Sequence, residues 1–145
     1  MYFEQFEIGQ RFVLDAVLIT AEEIDAFAHK YDPQPIHIDH EFAENGPFKG
    51  IIASGFHTAG VIWKKWVESN RFGSEIIGGT GLDYLQWPAP VRPGDRLTAE
   101  VEVVGKKLAS SGKRGLLTLQ FTASNQHDTV VLKMQCNAFL KAMPT

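Results

Sequence analysis

The sequence of 145 residues contains a single cysteine, Cys136. One thiol cannot form an internal disulfide or complete a zinc site built from several cysteines, and a reducing compartment fits such usage. The chain also lacks any apolar run near the roughly 20 residues of a membrane-spanning helix. Its first ten residues carry acids where a signal peptide has bases. We therefore expect a cytoplasmic protein that has no membrane partner.

Basic charge is also scarce. The chain has 14 Lys and Arg residues against 17 Asp and Glu residues, with both signs interspersed, and its net charge is -3. Binding to nucleic acid depends on a basic surface that attracts phosphates, so we expect no nucleic-acid partner. With 44% hydrophobic residues, the chain is long enough for one core and too short for two. Residues 1–145 are therefore predicted to form one domain.

The first half of the chain is predicted to be largely helical. Residues 11–19 alternate as a strand, after which Thr20 and Glu23 form a capping box that opens a helix. Two prolines within residues 32–35 end this helix. A longer helix is predicted over residues 55–70. Its first half is apolar nearly all round, which indicates a helix covered on most sides.

The second half of the chain is predicted to consist of strands. Apolar residues recur with a period of two over residues 97–103, 117–123 and 130–140, and a further strand is expected over residues 76–87. Turn-rich residues between the last three strands predict hairpins and an antiparallel meander. The expected fold class is therefore α+β, an antiparallel sheet of about five strands wrapped around one long helix.

The densest chemical signal lies between the two predicted helices. Asp32 and His37 are five residues apart in a segment stiffened by two prolines. A fully extended chain would separate them by roughly 16 Å, so the segment must bend if both are to act on one water molecule. Hydration of an enoyl thioester needs a base for water, an acid for Cα and a group that stabilises the enolate. Gly55 stands at the start of the longer helix, where a backbone amide favours negative charge.

Together these segments resemble the MaoC-like dehydratase family, which includes the R-specific enoyl-CoA hydratases and is marked by an Asp-x-Asn-Pro-x-His turn ahead of a hot-dog helix. The resemblance spans nearly the whole chain and also includes Ile52–Gly55 and Pro90–Asp95. It implies a hot-dog fold, usually a homodimer, that hydrates a trans-2-enoyl thioester reversibly to an R-3-hydroxyacyl thioester. The substrate would be carried on CoA, as the first expectation, or on acyl carrier protein. No metal or organic cofactor is expected.

The resemblance also assigns residues. Asp32 and His37 match the catalytic pair of the family, and Gly55 matches the glycine whose amide contacts the thioester carbonyl. Gln34 replaces the usual Asn of the turn. Trp63 stands where several relatives have a serine on the central helix, and it is predicted to narrow the acyl tunnel.

Three further residues near the start of this helix are considered for substrate binding. Ser54 and His57 are expected to contribute to substrate binding, although His57 also fits an ordinary buried histidine. Thr58 provides the nearest hydroxyl to the serine of the relatives, but it does not align with that position and receives no role. His37, Asp39 and His40 do not form a metal site, because their spacing places neighbours on different faces.

Three functions are open from the sequence. In a hydratase, Asp32 activates the water, His37 transfers the Cα proton and the Gly55 amide polarises the carbonyl. A hot-dog thioesterase carries a carboxylate on or beside the central helix, where this chain offers only Glu68 near the far end. The third function is a non-catalytic module that binds acyl thioesters.

Overall fold

The computed structural model describes all 145 residues, and its strands form one six-stranded antiparallel sheet. The strands are β1 (Arg11–Val13), β2 (Val17–Leu18), β3 (Ile76–Gln86), β4 (Arg96–Leu108), β5 (Arg114–Ser124) and β6 (Val130–Lys141). Their order is β1-β4-β5-β6-β3, and β2 pairs with the first residues of β4. Strands β4, β5 and β6 therefore form the meander that the turn residues predicted.

Four α-helices accompany the sheet. They are α1 (Ala21–Tyr31), α2 (Pro35–Ile38), α3 (His40–Glu44) and α4 (Gly55–Glu68), and short 3-10 helices lie at Phe3–Gln5 and Gly73–Glu75. Helix α1 begins at the predicted residue, because the Thr20 hydroxyl accepts a hydrogen bond from the Glu23 amide. The Glu23 carboxylate accepts from the Thr20 hydroxyl and not from its amide, so only half of the predicted capping box forms. None of the helices has the length and apolarity that crossing a membrane requires.

The core lies between α4 and the inner face of the sheet. Alternate residues of the central strands are buried there: Leu97, Ala99, Val101, Val103, Leu117, Leu119, Phe121 and Ala123. Ile62 and Trp66 of α4 pack against this face, and the Trp66 ring lies 6.0 Å from that of Phe121. The predicted α+β hot-dog fold, a sheet around one long helix, is confirmed.

The predicted strand over residues 11–19 is two strands instead of one. Val13 pairs with Glu100 and Val17 pairs with Leu97, so three residues of the first segment face two residues of β4. An extra residue on one side interrupts the ladder of hydrogen bonds. This interruption explains why the sheet has six strands where about five were expected.

One side of α4 remains open in the single chain. Phe56 and Val67 of this helix are 61% and 51% exposed, because the sheet covers only the opposite side. The expectation that the first half of α4 is covered on most sides fails for Phe56, whereas Ala59, Val61, Ile62 and Trp63 are buried or half-buried. Trp87, the residue after β3, contacts Phe56 of this open face, and only one edge of β3 is paired, with β6. Its Leu82 side chain is also exposed.

The turn before β4 holds one wall of the site described below. The buried Asp95 carboxylate accepts hydrogen bonds from the Arg92 amide at 2.9 Å and from the Gln126 side chain at 2.9 Å. The Val91 carbonyl in turn accepts a hydrogen bond from the Ala53 amide at 2.8 Å. These bonds fix the segment that precedes β4 against the start of α4.

Candidate active site

The Asp32–Pro35 segment bends as the two prolines predict. Asp32 is the residue that ends α1, and α2 starts with Pro35 at its first position, where the missing N–H of proline has no cost. The bend turns His37 inward, where it is 4% exposed. The His37 Nε2 atom lies 3.3 Å from Oδ2 of Asp32. The structure thus brings together the carboxylate and the imidazole that the sequence singled out.

The orientation of the His37 ring follows from its second nitrogen. Nδ1 lies 2.7 Å from the carbonyl oxygen of Ile52, which can only accept, so Nδ1 donates this hydrogen bond. In the neutral ring the lone pair is therefore on Nε2, the nitrogen that faces Asp32. His37 is oriented to take up a proton on the side of the carboxylate.

Two neutral side chains hold the Asp32 carboxylate. The Ser54 hydroxyl donates to Oδ2 at 2.6 Å, and the Gln34 amide donates to Oδ1 at 2.8 Å. The bond from Ser54, supported by Gln34 and His37, lowers the pKa of Asp32 against the opposing effect of burial. Asp32 is therefore ionised at neutral pH and can act as a base. The longer side chain of Gln34, compared with the usual Asn, reaches the carboxylate directly.

Ser54 also leaves the start of α4 uncapped. A serine at this position usually accepts a hydrogen bond from an amide of the first helical turn. Here the Ser54 side chain makes no such bond and donates to Asp32 instead. The first amides of α4, beginning with Gly55, have no partner within the helix and carry its positive dipole end. They can receive a carbonyl oxygen on which negative charge develops.

Position 55 has no room for a side chain, so glycine is required there. A Cβ atom at this position would lie 2.1 Å from Cε2 of Trp87, so the indole ring of Trp87 lies directly over the glycine. The Phe56 ring meets the same indole edge-on at 5.3 Å. This contact shapes the mouth of the site around the Gly55 amide.

These residues surround a cavity of about 320 Å³. Its rim is exposed and includes Gln34, Phe56 and Trp87, whereas its floor is buried. Four of the residues predicted from the sequence line it: Asp32, Gln34, His37 and Gly55. The volume lies at the small end of the range of about 300–1,000 Å³ that is usual for ligand sites.

Three other predicted residues do not line this cavity. Ser54 does not line the cavity, but its hydroxyl donates a hydrogen bond to Asp32, which does. His57 is stacked on Phe27 with ring centroids 5.0 Å apart, and burial lowers the pKa of its imidazole. The tunnel role predicted for Trp63 does not hold for this cavity, because its indole packs against core rings, those of Phe72 at 6.0 Å and Phe121 at 5.9 Å.

Thr58 and Trp87 also line the cavity, and Thr58 received no role from the sequence. Thr58 lies three residues after Gly55 and so on the same face of α4, a spacing that could have indicated it. Trp87 directly follows β3, and only the fold brings it to Gly55.

The structure also bears on the thioesterase carboxylate and on a metal site. Glu68, the carboxylate that a thioesterase would need, lies at the opposite end of α4, roughly 20 Å from Gly55 along the helix. It is exposed there, 3.7 Å from Lys65. No group of three or more His, Cys, Asp or Glu side chains is arranged to hold a metal ion.

Replacing Ser54 with Ala is expected to change the pH dependence of activity. Without the Ser54 hydrogen bond the pKa of Asp32 rises, so the protonated, inactive carboxyl appears at a higher pH as the solution is acidified. The acid limb of kcat/KM should therefore move to higher pH. The exposed Ser74, which bonds only to Glu75, gives the control variant Ser74→Ala, whose profile should match the wild type.

The same substitution should alter stability in acid. The pKa of Asp32 lies below its ordinary value of 3.8, so the ionised carboxylate stabilises the fold above that pH and this contribution disappears as pH falls toward the folded-state pKa. Thermal unfolding of Ser54→Ala should therefore depend less on pH in this range. An unchanged acid limb together with an unchanged pH dependence of unfolding would show that Ser54 does not influence Asp32.

Replacing Gly55 with Ala is expected to lower kcat/KM on the order of a hundredfold, the usual cost of displacing reacting groups by about 1 Å. The added methyl group overlaps the Trp87 ring, so the indole or the start of α4 must move. Steady-state kinetics measures the loss. The double variant Gly55→Ala/Trp87→Ala removes the overlap and should recover part of the activity of Gly55→Ala. A single variant within twofold of the wild type would contradict the role of this contact.

A family model, related sequences and a solved structure each match most of this chain. A family model described as a MaoC like domain matches residues 4–125. The uncharacterized protein YdeM of Bacillus subtilis is 35% identical over 97% of this chain and 99% of its own length. The 3-hydroxyacyl-thioester dehydratase Z of Mycobacterium tuberculosis is 36% identical over 81% of this chain and 74% of its own. The crystal structure of a MaoC-like dehydratase from Rhodospirillum rubrum superposes with a TM-score of 0.92 at 35% identity, covering 100% of this chain and 99% of that one.

Proposed function

Because the chain belongs to the MaoC-like domain family, we propose that it is a hydro-lyase that acts on acyl thioesters. It adds water reversibly to a trans-2-enoyl thioester and gives a 3-hydroxyacyl thioester, of R configuration as the family resemblance implies. The observation that carries this proposal is the contact of 3.3 Å between Asp32 and His37 on the wall of a cavity that also contains Gly55. The name of the related dehydratase Z supports the substrate class.

The contacts around Asp32 suggest how its base function works. Ionised Asp32 takes a proton from a water molecule held between the carboxylate and His37, and the water oxygen forms a bond to C3 of the substrate. The π electrons of the C2–C3 double bond move to C2 and the thioester oxygen. The Gly55 amide, at the positive end of α4, stabilises the charge on that oxygen.

His37 completes the reaction by returning the proton. The proton on Asp32 passes across the contact to Nε2 of His37, the nitrogen whose lone pair faces the carboxylate. The imidazolium then protonates C2, which restores neutral His37 and ionised Asp32. The net change is the addition of one water molecule, with OH on C3 and H on C2. Dehydration follows the same steps in reverse.

A panel of trans-2-enoyl thioesters of CoA and of acyl carrier protein tests this function. We expect loss of the absorbance of the conjugated thioester without release of free thiol. Release of thiol from saturated acyl-CoA would instead indicate a thioesterase, the activity for which Glu68 is poorly placed. Binding of acyl-CoA without turnover of any enoyl thioester would support a non-catalytic module. Either result would overturn the proposed reaction.

The working unit is proposed to be a homodimer of the domain formed by residues 1–145. Strand β3 has an unpaired edge, and exposed apolar side chains lie along it and on the open side of α4. An unpaired edge of this kind pairs readily with a second strand. Light scattering should give twice the 16.1 kDa mass of the chain. A monomer at micromolar concentration would contradict this proposal without affecting the chemistry of Asp32 and His37.

A further inference from the structure

The buried floor of the cavity contains one polar side chain besides His37. Thr58 lines the cavity and is 2% exposed. The other buried residues of the floor are apolar: Ile52, Ala53, Val91 and Val131. The hydrogen bonds of the site join Asp32 to its neighbours and His37 to a backbone carbonyl, and none of them reaches the Thr58 hydroxyl. The hydroxyl is not among the fully enclosed side-chain atoms without a partner, which are His57 Nδ1 and Trp66 Nε1, so it is open to the cavity. A group that fills the cavity must therefore replace the contact of this hydroxyl with solvent.

The position of Thr58 identifies the part of the substrate that it meets. Thr58 and Gly55 lie on the same face of α4, about 4.5 Å apart along the helix axis. On the proposed function, on which this step rests, the thioester carbonyl binds at Gly55 and C2 and C3 lie near Asp32 and His37. The acyl chain beyond C3 then extends from the exposed rim toward the buried floor, where it reaches Thr58.

We propose that Thr58 is a specificity residue and that the preferred substrate carries an uncharged oxygen on its acyl chain beyond C3, as a hydroxyl or keto group. A plain alkyl chain would displace water from the Thr58 hydroxyl without replacing its hydrogen bond, and sites built around such a bond discriminate against analogues that lack it. A carboxylate is disfavoured, because neither Lys nor Arg lines the cavity and a buried charge needs a partner.

The test compares trans-2-hexenoyl-CoA with its 4-hydroxy, 5-hydroxy and 5-oxo derivatives. The value of kcat/KM is measured for each substrate with the wild type, Thr58→Val and Thr58→Ser. Valine keeps the shape of threonine and removes the hydroxyl, whereas serine keeps the hydroxyl. The result is expressed as the ratio of kcat/KM for oxygenated and plain chains within one variant, so any effect that is common to both substrates cancels.

We expect the wild type to prefer at least one oxygenated chain by about tenfold or more, the effect of one good hydrogen bond. Thr58→Val should abolish that preference and Thr58→Ser should retain it. A wild type that prefers the plain chain over every derivative would overturn the inference, and this comparison needs no substitution if Thr58→Val does not fold. Equal ratios in the valine and serine variants would overturn it as well. A wild type that hydrates none of the four chains would overturn the proposed function and this inference together.

Discussion

Replacing Asp32 with Asn is expected to lower kcat about 10²–10⁴-fold, the usual contribution of positioned acid–base catalysis. The amide cannot take a proton from water, yet it has the shape of the carboxylate. Its oxygen can still accept from the Gln34 amide, and its NH₂ group can donate to the Ser54 oxygen. The loss should therefore appear in kcat while the fold persists, as measured by steady-state kinetics and thermal unfolding.

The matched control for this substitution is Asp25→Asn. Asp25 lies on α1 at 61% side-chain exposure, pairs with the exposed His29 and does not line the cavity, so its variant should retain wild-type kinetics. If Asp32→Asn kept near-normal turnover with every enoyl thioester that the wild type hydrates, the assignment of the base would be wrong.

Replacing His37 with Asn is expected to cause a loss of similar size, about 10²–10⁴-fold in kcat. The amide nitrogen of Asn can occupy the place of Nδ1 and keep the hydrogen bond to the Ile52 carbonyl. The buried carbonyl thus stays paired, and the fold should be retained. The variant loses only the proton-carrying nitrogen that faces Asp32, so kcat should fall more than the affinity for substrate changes.

His29→Asn provides the control for His37. This histidine is 59% exposed on α1 and does not line the cavity, so its replacement should leave kcat unchanged. Substantial hydratase activity in His37→Asn, with His29→Asn behaving as the wild type, would show that another group protonates C2.

Much of the site could be predicted from local sequence because its main features are local. The prolines on both sides of Gln34 determine where α1 ends and α2 begins, and that bend places Asp32 beside His37. Gly55 was identifiable as the first residue of the long helix. The family predicted from these segments is confirmed by the match over residues 4–125.

The remaining features depend on contacts between distant segments. Trp87 reaches Gly55 only because β3 runs along the edge of the sheet and ends above the start of α4. The helical pattern did not reveal which apolar side of α4 meets the sheet and which meets the cavity. It could not show that Trp63, the residue considered for the tunnel wall, is partly buried against the core and does not line this cavity. Similarly, alternation over residues 11–19 predicted one strand. That pattern could not show that three residues of this segment face two residues of β4, the mismatch that divides the segment into β1 and β2.

The central claim is that Asp32 and His37 act on one water molecule as a single proton-transferring pair. The most direct test is a double-mutant cycle in kcat with Asp32→Asn, His37→Asn and the double variant. If the proton passes between the two residues, removing either one interrupts the transfer, so the double variant should be about as slow as the slower single variant. Losses that multiply in the double variant would show that the two residues act independently and would contradict the account.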